Sequence, residues 1–244
     1  MTRDSVGLAP QLTLDLAGAP EFGANDFFVA ACNEEAARMI ARWPQWPDCA
    51  LLLTGPAGVG KSHLGAIWAA RAGARRLQAA DLGAAERDGD SPAALALEAA
   101  LLIEDLDALT PSAGRALFHL LNLARERALP MLLTARAAPE LLRVEPPDLL
   151  SRLRLAPRVN IGAPDDALMR LVLGKLLTDR QLAPDARLVA YAATRLESSL
   201  DAARRFVEAL DREALARKSK VTRQLAGEVL KAIGAPAEDD DEGF

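Results

Sequence analysis

Apolar residues along this chain recur with two different periods, and the change between them divides it. From 33 to 43 they fall at helical spacing, with Ala36, Ala37, Met39, Ile40 and Trp43 on one side, and the turn Trp43-Pro44-Gln45-Trp46-Pro47 closes the segment. Short, nearly continuous apolar runs follow at 50–54, 101–103 and 130–134, the signature of strands buried on both faces. Two weaker strand signals lie at 75–78 and 158–161. Between them helical patterns are predicted at 62–71, at 91–100, opened by Ser91-Pro92, and at 112–127, where Leu117, Leu120, Leu121 and Ala124 share a face. Strands alternating with helices predict an α/β fold with a five-stranded parallel sheet covered on both faces. After Gly162 the strand signal stops. Helices are expected at 164–178, 184–195, 199–218 and 222–233, the second entered through a proline and the fourth from a threonine. The expected organisation is a flexible tail over 1–20, an α/β domain over 21–161, an all-helical lid domain over 162–235 and an acidic disordered tail over 236–244.

The strand predicted at 50–54 runs directly into Gly55-Pro56-Ala57-Gly58-Val59-Gly60-Lys61-Ser62, which satisfies GxxxxGK[ST] at every constrained position. In such a loop the glycines let backbone N–H groups turn onto a polyphosphate. Lys61 supplies a positive charge toward the β- and γ-phosphates, and the Ser62 hydroxyl can hold Mg²⁺. The helix that follows sets the positive end of its dipole behind the phosphates. A Gly-rich turn of purely structural purpose is the alternative, but the strand–loop–helix setting favours nucleotide binding.

Charge and composition narrow the remaining classes. Of the 244 residues 50% are apolar and 26% charged, ordinary for a globular protein with a real core. The net charge of −5 comes from Glu238, Asp239, Asp240, Asp241 and Glu242 near the end, so the body balances 29 basic against 29 acidic residues. A neutral body argues against a protein that coats nucleic acid. No apolar run approaches the ~18 residues that span a bilayer, and no signal-peptide pattern opens the chain. A cytoplasmic protein without a membrane partner is expected. Cys32 and Cys49 lack metal-ligand spacing and are expected to be buried free thiols.

Further residues could carry chemistry. The run at 101–103 ends in Glu104-Asp105, and a P-loop ATPase needs a carboxylate to hold Mg²⁺ through water and a second to orient the attacking water. Asp107 is read as a surface or helix-capping residue. Arg152 stands between the last two expected strands, where it is either a surface charge or an arginine able to reach a phosphate across a subunit boundary. Arg204 emerges beside the apolar stripe Leu200, Ala203, Val207 and Leu210, where a γ-phosphate contact and a salt bridge are both open. His63, next after the P-loop serine, is counted with the nucleotide-binding stretch, though neither it nor His119 has partners for a triad or a metal.

The pattern as a whole resembles the AAA+ ATPases, and among them the DnaA initiator group with its short Hda-type regulators. The resemblance is carried by Phe27-Phe28-Val29 with Cys32-Asn33-Glu34-Glu35-Ala36, by GPAGVGKSHL at 55–64 and by LLIEDLDAL at 101–109. It continues through LFHLLNLARE at 117–126, Leu132 to Arg136, PDLLSRL at 147–153 and Arg204-Arg205-Phe206 with Glu208-Ala209-Leu210. It covers about 21–233. The P-loop and acidic pair are generic to P-loop enzymes, whereas the LFHLLN and DLLSRL phrases in this order are specific.

The resemblance implies an adenine nucleotide, ADP or ATP, with Mg²⁺ at Ser62 and Glu104 and the base beside Phe28 and Val29. It matches Arg152 to an arginine finger acting in trans and Arg204 to the lid's sensor-2 arginine. Proteins of this group convert ATP-bound DnaA to its ADP form with the sliding clamp of DNA polymerase III (its β subunit) as platform, so DNA is engaged through the clamp at the replisome on the nucleoid, and self-association into a homodimer is a further implied partner. Gln11-Leu12-Thr13-Leu14-Asp15-Leu16 agrees, since it resembles the clamp-binding peptide QLxLPL, with Gln11, Leu12, Leu14 and Leu16 as contacts; an amphipathic tail fragment is its plainer reading. The chain departs from the pattern in three places: Glu104 replaces an aspartate, Arg136 stands where DnaA has a sensor-1 aspartate, leaving Thr134 as the nearest polar substitute, and Asp15 replaces a proline. Glu104 in particular points to weak or absent autonomous turnover. A negative regulator of replication initiation is the leading reading, with a DnaA-related adaptor or helicase-loading ATPase as the alternative.

Overall fold

A computed structural model describes residues 27–85, 100–183 and 185–234. The helix expected at 91–100, the clamp-like peptide with Gln11, Leu12, Leu14 and Leu16, and the acidic tail lie outside these residues.

In chain order the elements are α1 (Glu34–Ala41), β1 (Ala50–Thr54), α2 (Lys61–Ala72), β2 (Arg75–Gln78), the single turn α3 (Leu82–Ala85), β3 (Leu101–Glu104), α4 (Pro111–Arg127), β4 (Met131–Ala135), α5 (Pro147–Leu155) and β5 (Arg158–Asn160). Four helices follow, α6 (Asp166–Asp179), α7 (Ala186–Ala193), α8 (Leu200–Arg217) and α9 (Arg223–Ala232). The five strands form one sheet in the order β2-β3-β4-β1-β5, every pair parallel. From β1 the chain runs to β2 at one edge, steps back through β3 and β4, and crosses β1 to reach β5 at the other edge, so β1 sits inside the sheet with β4 and β5 on either side. The crevice beyond its carboxyl end is where ligands gather in open α/β sheets.

Alternation along the strands decides what covers each face. Leu51, Leu53, Leu102 and Leu132 meet Ala36 and Ile40 of α1 and Leu64 and Trp68 of α2. On the opposite face Leu52, Leu101, Ile103, Met131 and Leu133 pack on Leu117, Leu120 and Leu121 of α4 and on Leu149 and Leu153 of α5. The last four helices bury a separate cluster that includes Met169, Leu173, Phe206, Leu210 and Val229.

Local chemistry explains most helix starts. The side chains of Thr110, Asp165, Ser199 and Thr222 each accept a backbone N–H from the first turn of α4, α6, α8 and α9. Two expectations change. The helix expected from 184 starts instead at Ala186, with Asp185 as cap accepting the Arg187 N–H at 2.9 Å. The stretch around Arg152 is the helix α5, which the apolar pattern does not announce.

Candidate nucleotide-binding site

The loop that leaves β1 is shaped by contacts that exclude a side chain. At Gly55 a methyl group would lie 2.3 Å from the Ile161 carbonyl oxygen. Gly58 has φ +71°, and a methyl there would come 2.1 Å from Ser199 Oγ. The Gly58 carbonyl accepts the Leu200 N–H at 2.8 Å and the Asp201 N–H at 3.3 Å. The loop is therefore seated against the amino end of α8. Gly60 caps α2, which has no side-chain cap and no acidic residue in its first turn. Its leading N–H groups are left to an anion at the loop, the geometry that binds phosphate in this motif.

Lys61 is buried, and its Nζ donates to the Gly55 and Pro56 carbonyls at 2.7 Å each. Burial pulls its pKa down; the charges of Asp105 and Asp107 work against that, and Arg136 adds to it. The ammonium thus folds back on the loop backbone with one proton left over. Ser62 is exposed in the first turn of α2, and His63 meets the Phe27 ring edge to face at 5.4 Å. A methyl group placed on Gly60 would lie 3.7 Å from the Phe27 ring. Pro56 and Ala57 are exposed on the loop, while Val59 is buried beneath it.

The turn that follows Phe27 is fixed by Asn33, 2% exposed, which accepts the Ala30 N–H at 2.8 Å and donates to the Phe28 carbonyl at 2.9 Å. The Cys32 carbonyl accepts the Gly162 N–H at 2.8 Å, tying this turn to the exit of β5. Phe28 is half-buried and Val29 is 60% exposed. A rigid turn thus presents an apolar surface next to the P-loop, the chemistry a planar base requires.

At the end of β3 the acidic pair divides. Glu104 is buried, and its Oε2 is paired with Arg76 Nη2 at 2.9 Å. Asp105 takes a left-handed backbone with φ +57°, its N–H donating to Thr134 Oγ1 at 3.0 Å, and its half-buried carboxylate lies within the field of Lys61. Thr134, 1% exposed, therefore holds Asp105 in place. Asp107 caps no helix: its Oδ2 accepts the Arg136 N–H at 2.6 Å, a second strap between the β3 and β4 exits. The roles of Arg76 and Asp107 depend on pairings 28 and 29 residues apart, for which local spacing holds no signal. The contact between Gly58 and Ser199 is equally remote in sequence.

The two arginines belong to helices α8 and α5. Arg204, half-buried, belongs to the helix whose amino end holds Gly58. Arg152 is on α5, across the sheet from α2, and its guanidinium has no hydrogen-bond or ion-pair partner among the described residues. Beside it Arg154 and Arg158 both pair with Glu140, at 3.8 and 3.4 Å. Cys32 and Cys49 are free thiols, half-buried where full burial was expected. No helix among the described residues is long and apolar enough to cross a membrane.

No protein-family model and no curated protein matches this chain. Solved structures do. Domain III of the replication initiation protein DnaA from Thermotoga maritima superposes with a TM-score of 0.76 at 19% identity, covering 89% of this chain and 99% of that one. The replication initiator DnaA bound to AMPPCP and single-stranded DNA gives 0.67 at 17% identity over 92% of this chain and 78% of its own. The Thermotoga maritima RuvB Holliday junction branch migration motor gives 0.59 at 16% identity over 75% and 61%. With the strand order and the loop geometry, these likenesses give the chain the AAA+ P-loop NTPase fold in its DnaA-like form.

Proposed function

We propose that this chain is a DnaA-related negative regulator of replication initiation that binds ADP or ATP with Mg²⁺ at the P-loop and lends Arg152 to a nucleotide held by DnaA. The α2 amino end and Lys61 take the phosphates, Phe28 and Val29 take the base, and Arg204 reaches the site from the lid. Ser62 with Glu104 or Asp105 would hold the metal. This oxygen donor set suits Mg²⁺, which takes most of its ligands from phosphate and water. Among the described residues no group of three or more His, Cys, Asp or Glu forms an all-protein cage. When bound, the metal neutralises phosphate charge. Asp105, held by Thr134, is the carboxylate able to orient a water. Gln11, Leu12, Leu14 and Leu16 are proposed to engage the sliding clamp, which brings the protein to DNA.

The observation that carries the reading is Arg152. It lies across the sheet from its own P-loop helix, and it lacks the acidic partner that Arg154 and Arg158 share in Glu140. An arginine left without a partner among the described residues, beside two paired ones, fits a group whose anion comes from another molecule. Supplied in trans, such a group raises phosphoryl-transfer rates about 10³- to 10⁵-fold in P-loop enzymes.

The test measures hydrolysis of ATP prebound to DnaA, with and without clamp-loaded DNA. Wild type is expected to accelerate it only with the loaded clamp, and Gln11→Ala, deprived of a clamp contact, to lose that acceleration. Absence of any acceleration refutes the regulator reading and leaves an adaptor or helicase-loading ATPase.

A further inference from the structure

The acidic pair of a P-loop site is ordinarily open to the cation that accompanies the nucleotide. Here one member is already occupied. Glu104 is on the strand beside β2, and in the parallel register Gln78 faces Glu104 while Arg76 faces Leu102. Residues two apart on neighbouring strands share a face, so the arginine reaches diagonally across and meets the carboxylate at 2.9 Å. The Glu104 side chain is 4% exposed, whereas that of Arg76 is 44% exposed. One end of this pair is thus fixed inside the protein and the other rests in solvent.

The carboxylates nearby are committed differently. Asp107 Oδ2 accepts the Arg136 N–H, and of the two acids that act on Lys61 Asp105 acts the more strongly. A buried carboxylate held by one charge-assisted hydrogen bond is not free to meet Mg²⁺, because metal and guanidinium want the same oxygens. Glu104 also carries one methylene more than aspartate, which lets it bend toward β2.

From this geometry we infer that Arg76 is a positioning residue that competes with Mg²⁺ for Glu104 and so sets how much metal the bound nucleotide needs. The inference rests on the proposed nucleotide site. The exposed guanidinium can swing into water when the metal arrives, while Glu104 stays in place. In the metal-poor state Arg76 supplies the positive charge that a buried carboxylate requires. The protein then retains nucleotide with little help from the metal and responds to Mg²⁺ only at higher concentration than an open acidic pair would.

The experiment titrates Mg²⁺ into the full-length protein with mant-ATP as the fluorescent probe, for wild type, Arg76→Gln and Arg76→Lys. Thermal melting without nucleotide reports that each variant is folded. Arg76→Gln is expected to lower the half-maximal Mg²⁺ concentration by about tenfold or more, the scale of losing one hydrogen bond to a charged group. Arg76→Lys keeps the charge but loses the planar fork, and is expected to shift it the same way by less; it carries the test if Arg76→Gln does not fold. Glu104→Gln should flatten the Mg²⁺ response. An unchanged half-maximal concentration in the folded Arg76 variants, with mant-ATP bound, overturns the inference. Absence of mant-ATP binding by wild type in both EDTA and Mg²⁺ instead removes the nucleotide reading beneath it.

Discussion

The P-loop and helix α5 lie on opposite faces of one sheet and are finished to different degrees. Around the P-loop the described contacts close within the chain: Gly58 on the end of α8, Lys61 on the loop carbonyls, Asp105 on Thr134 and Asp107 on Arg136. At α5 the backbone is anchored by Leu149 and Leu153, and the Arg152 carbonyl lies 3.5 Å from Arg125 Nη2, yet the Arg152 guanidinium meets no partner among the described residues. In the proposed function the cradle, whose α2 N–H groups stay open, takes a small ligand, and the Arg152 guanidinium, without a counter-ion among the described residues, meets another macromolecule.

That contrast can be broken in graded ways. Lys61→Ala removes the buried ammonium from the cradle and should weaken mant-nucleotide binding by about 100-fold, on the scale of a charged hydrogen bond in a desolvated site; binding within a few-fold of wild type would place the phosphates elsewhere. Gly58→Ala drives a methyl against Ser199 Oγ in a left-handed backbone. Overpacking of this kind costs about 1–3 kcal/mol, so the melting temperature should fall by roughly 2–4 °C per kcal/mol, and Gly58→Ala with Ser199→Gly should recover part of that. An unaltered melting temperature would mean that the loop is not seated on α8. Glu140→Gln releases Arg154 and Arg158 without touching Arg152. Stimulation of DnaA turnover should change by less than about threefold, since exposed ion pairs contribute little; a loss as large as that expected for Arg152→Ala would move the role to its paired neighbours.

The smallest effect concerns the thiol before β1. Burial and then the Asp48 carboxylate push Cys49 up to about 11, while Arg125, which also approaches the Arg152 carbonyl, opposes them. Alkylation of Cys49 should therefore climb about tenfold per pH unit from 7 to 9 without levelling off, because only the thiolate reacts. A plateau near pH 8.5 would show that Asp48 and Arg125 are not arranged around it as described.

The strand runs, the P-loop and its helix were legible in the sequence because each depends on neighbours within a few residues. So was the position of Glu104-Asp105 at a strand end. Helix α5 was not, since its nine residues bury only Leu149 and Leu153, while Leu150 and Leu155 fall off that stripe. The second strand was found from a faint signal and proved to be an edge strand, mostly exposed. What the sequence hid most completely was how the acidic pair is used. Glu104 and Asp105 are adjacent, but strand pleating and the left-handed backbone at Asp105 send one to Arg76 and leave the other within the field of Lys61. Only the register of β2 against β3 reveals this.

The central claim is that Arg152 works outward while the cradle works inward, and one variant measured twice tests it. Arg152→Ala should leave the protein's own mant-nucleotide affinity within about twofold of wild type, as expected of a group that touches no part of its own site. Its stimulation of DnaA-bound ATP hydrolysis on clamp-loaded DNA should fall by about 10³-fold or more, the scale of a missing arginine finger. Retained stimulation, or a parallel collapse of the protein's own nucleotide affinity, would contradict the account.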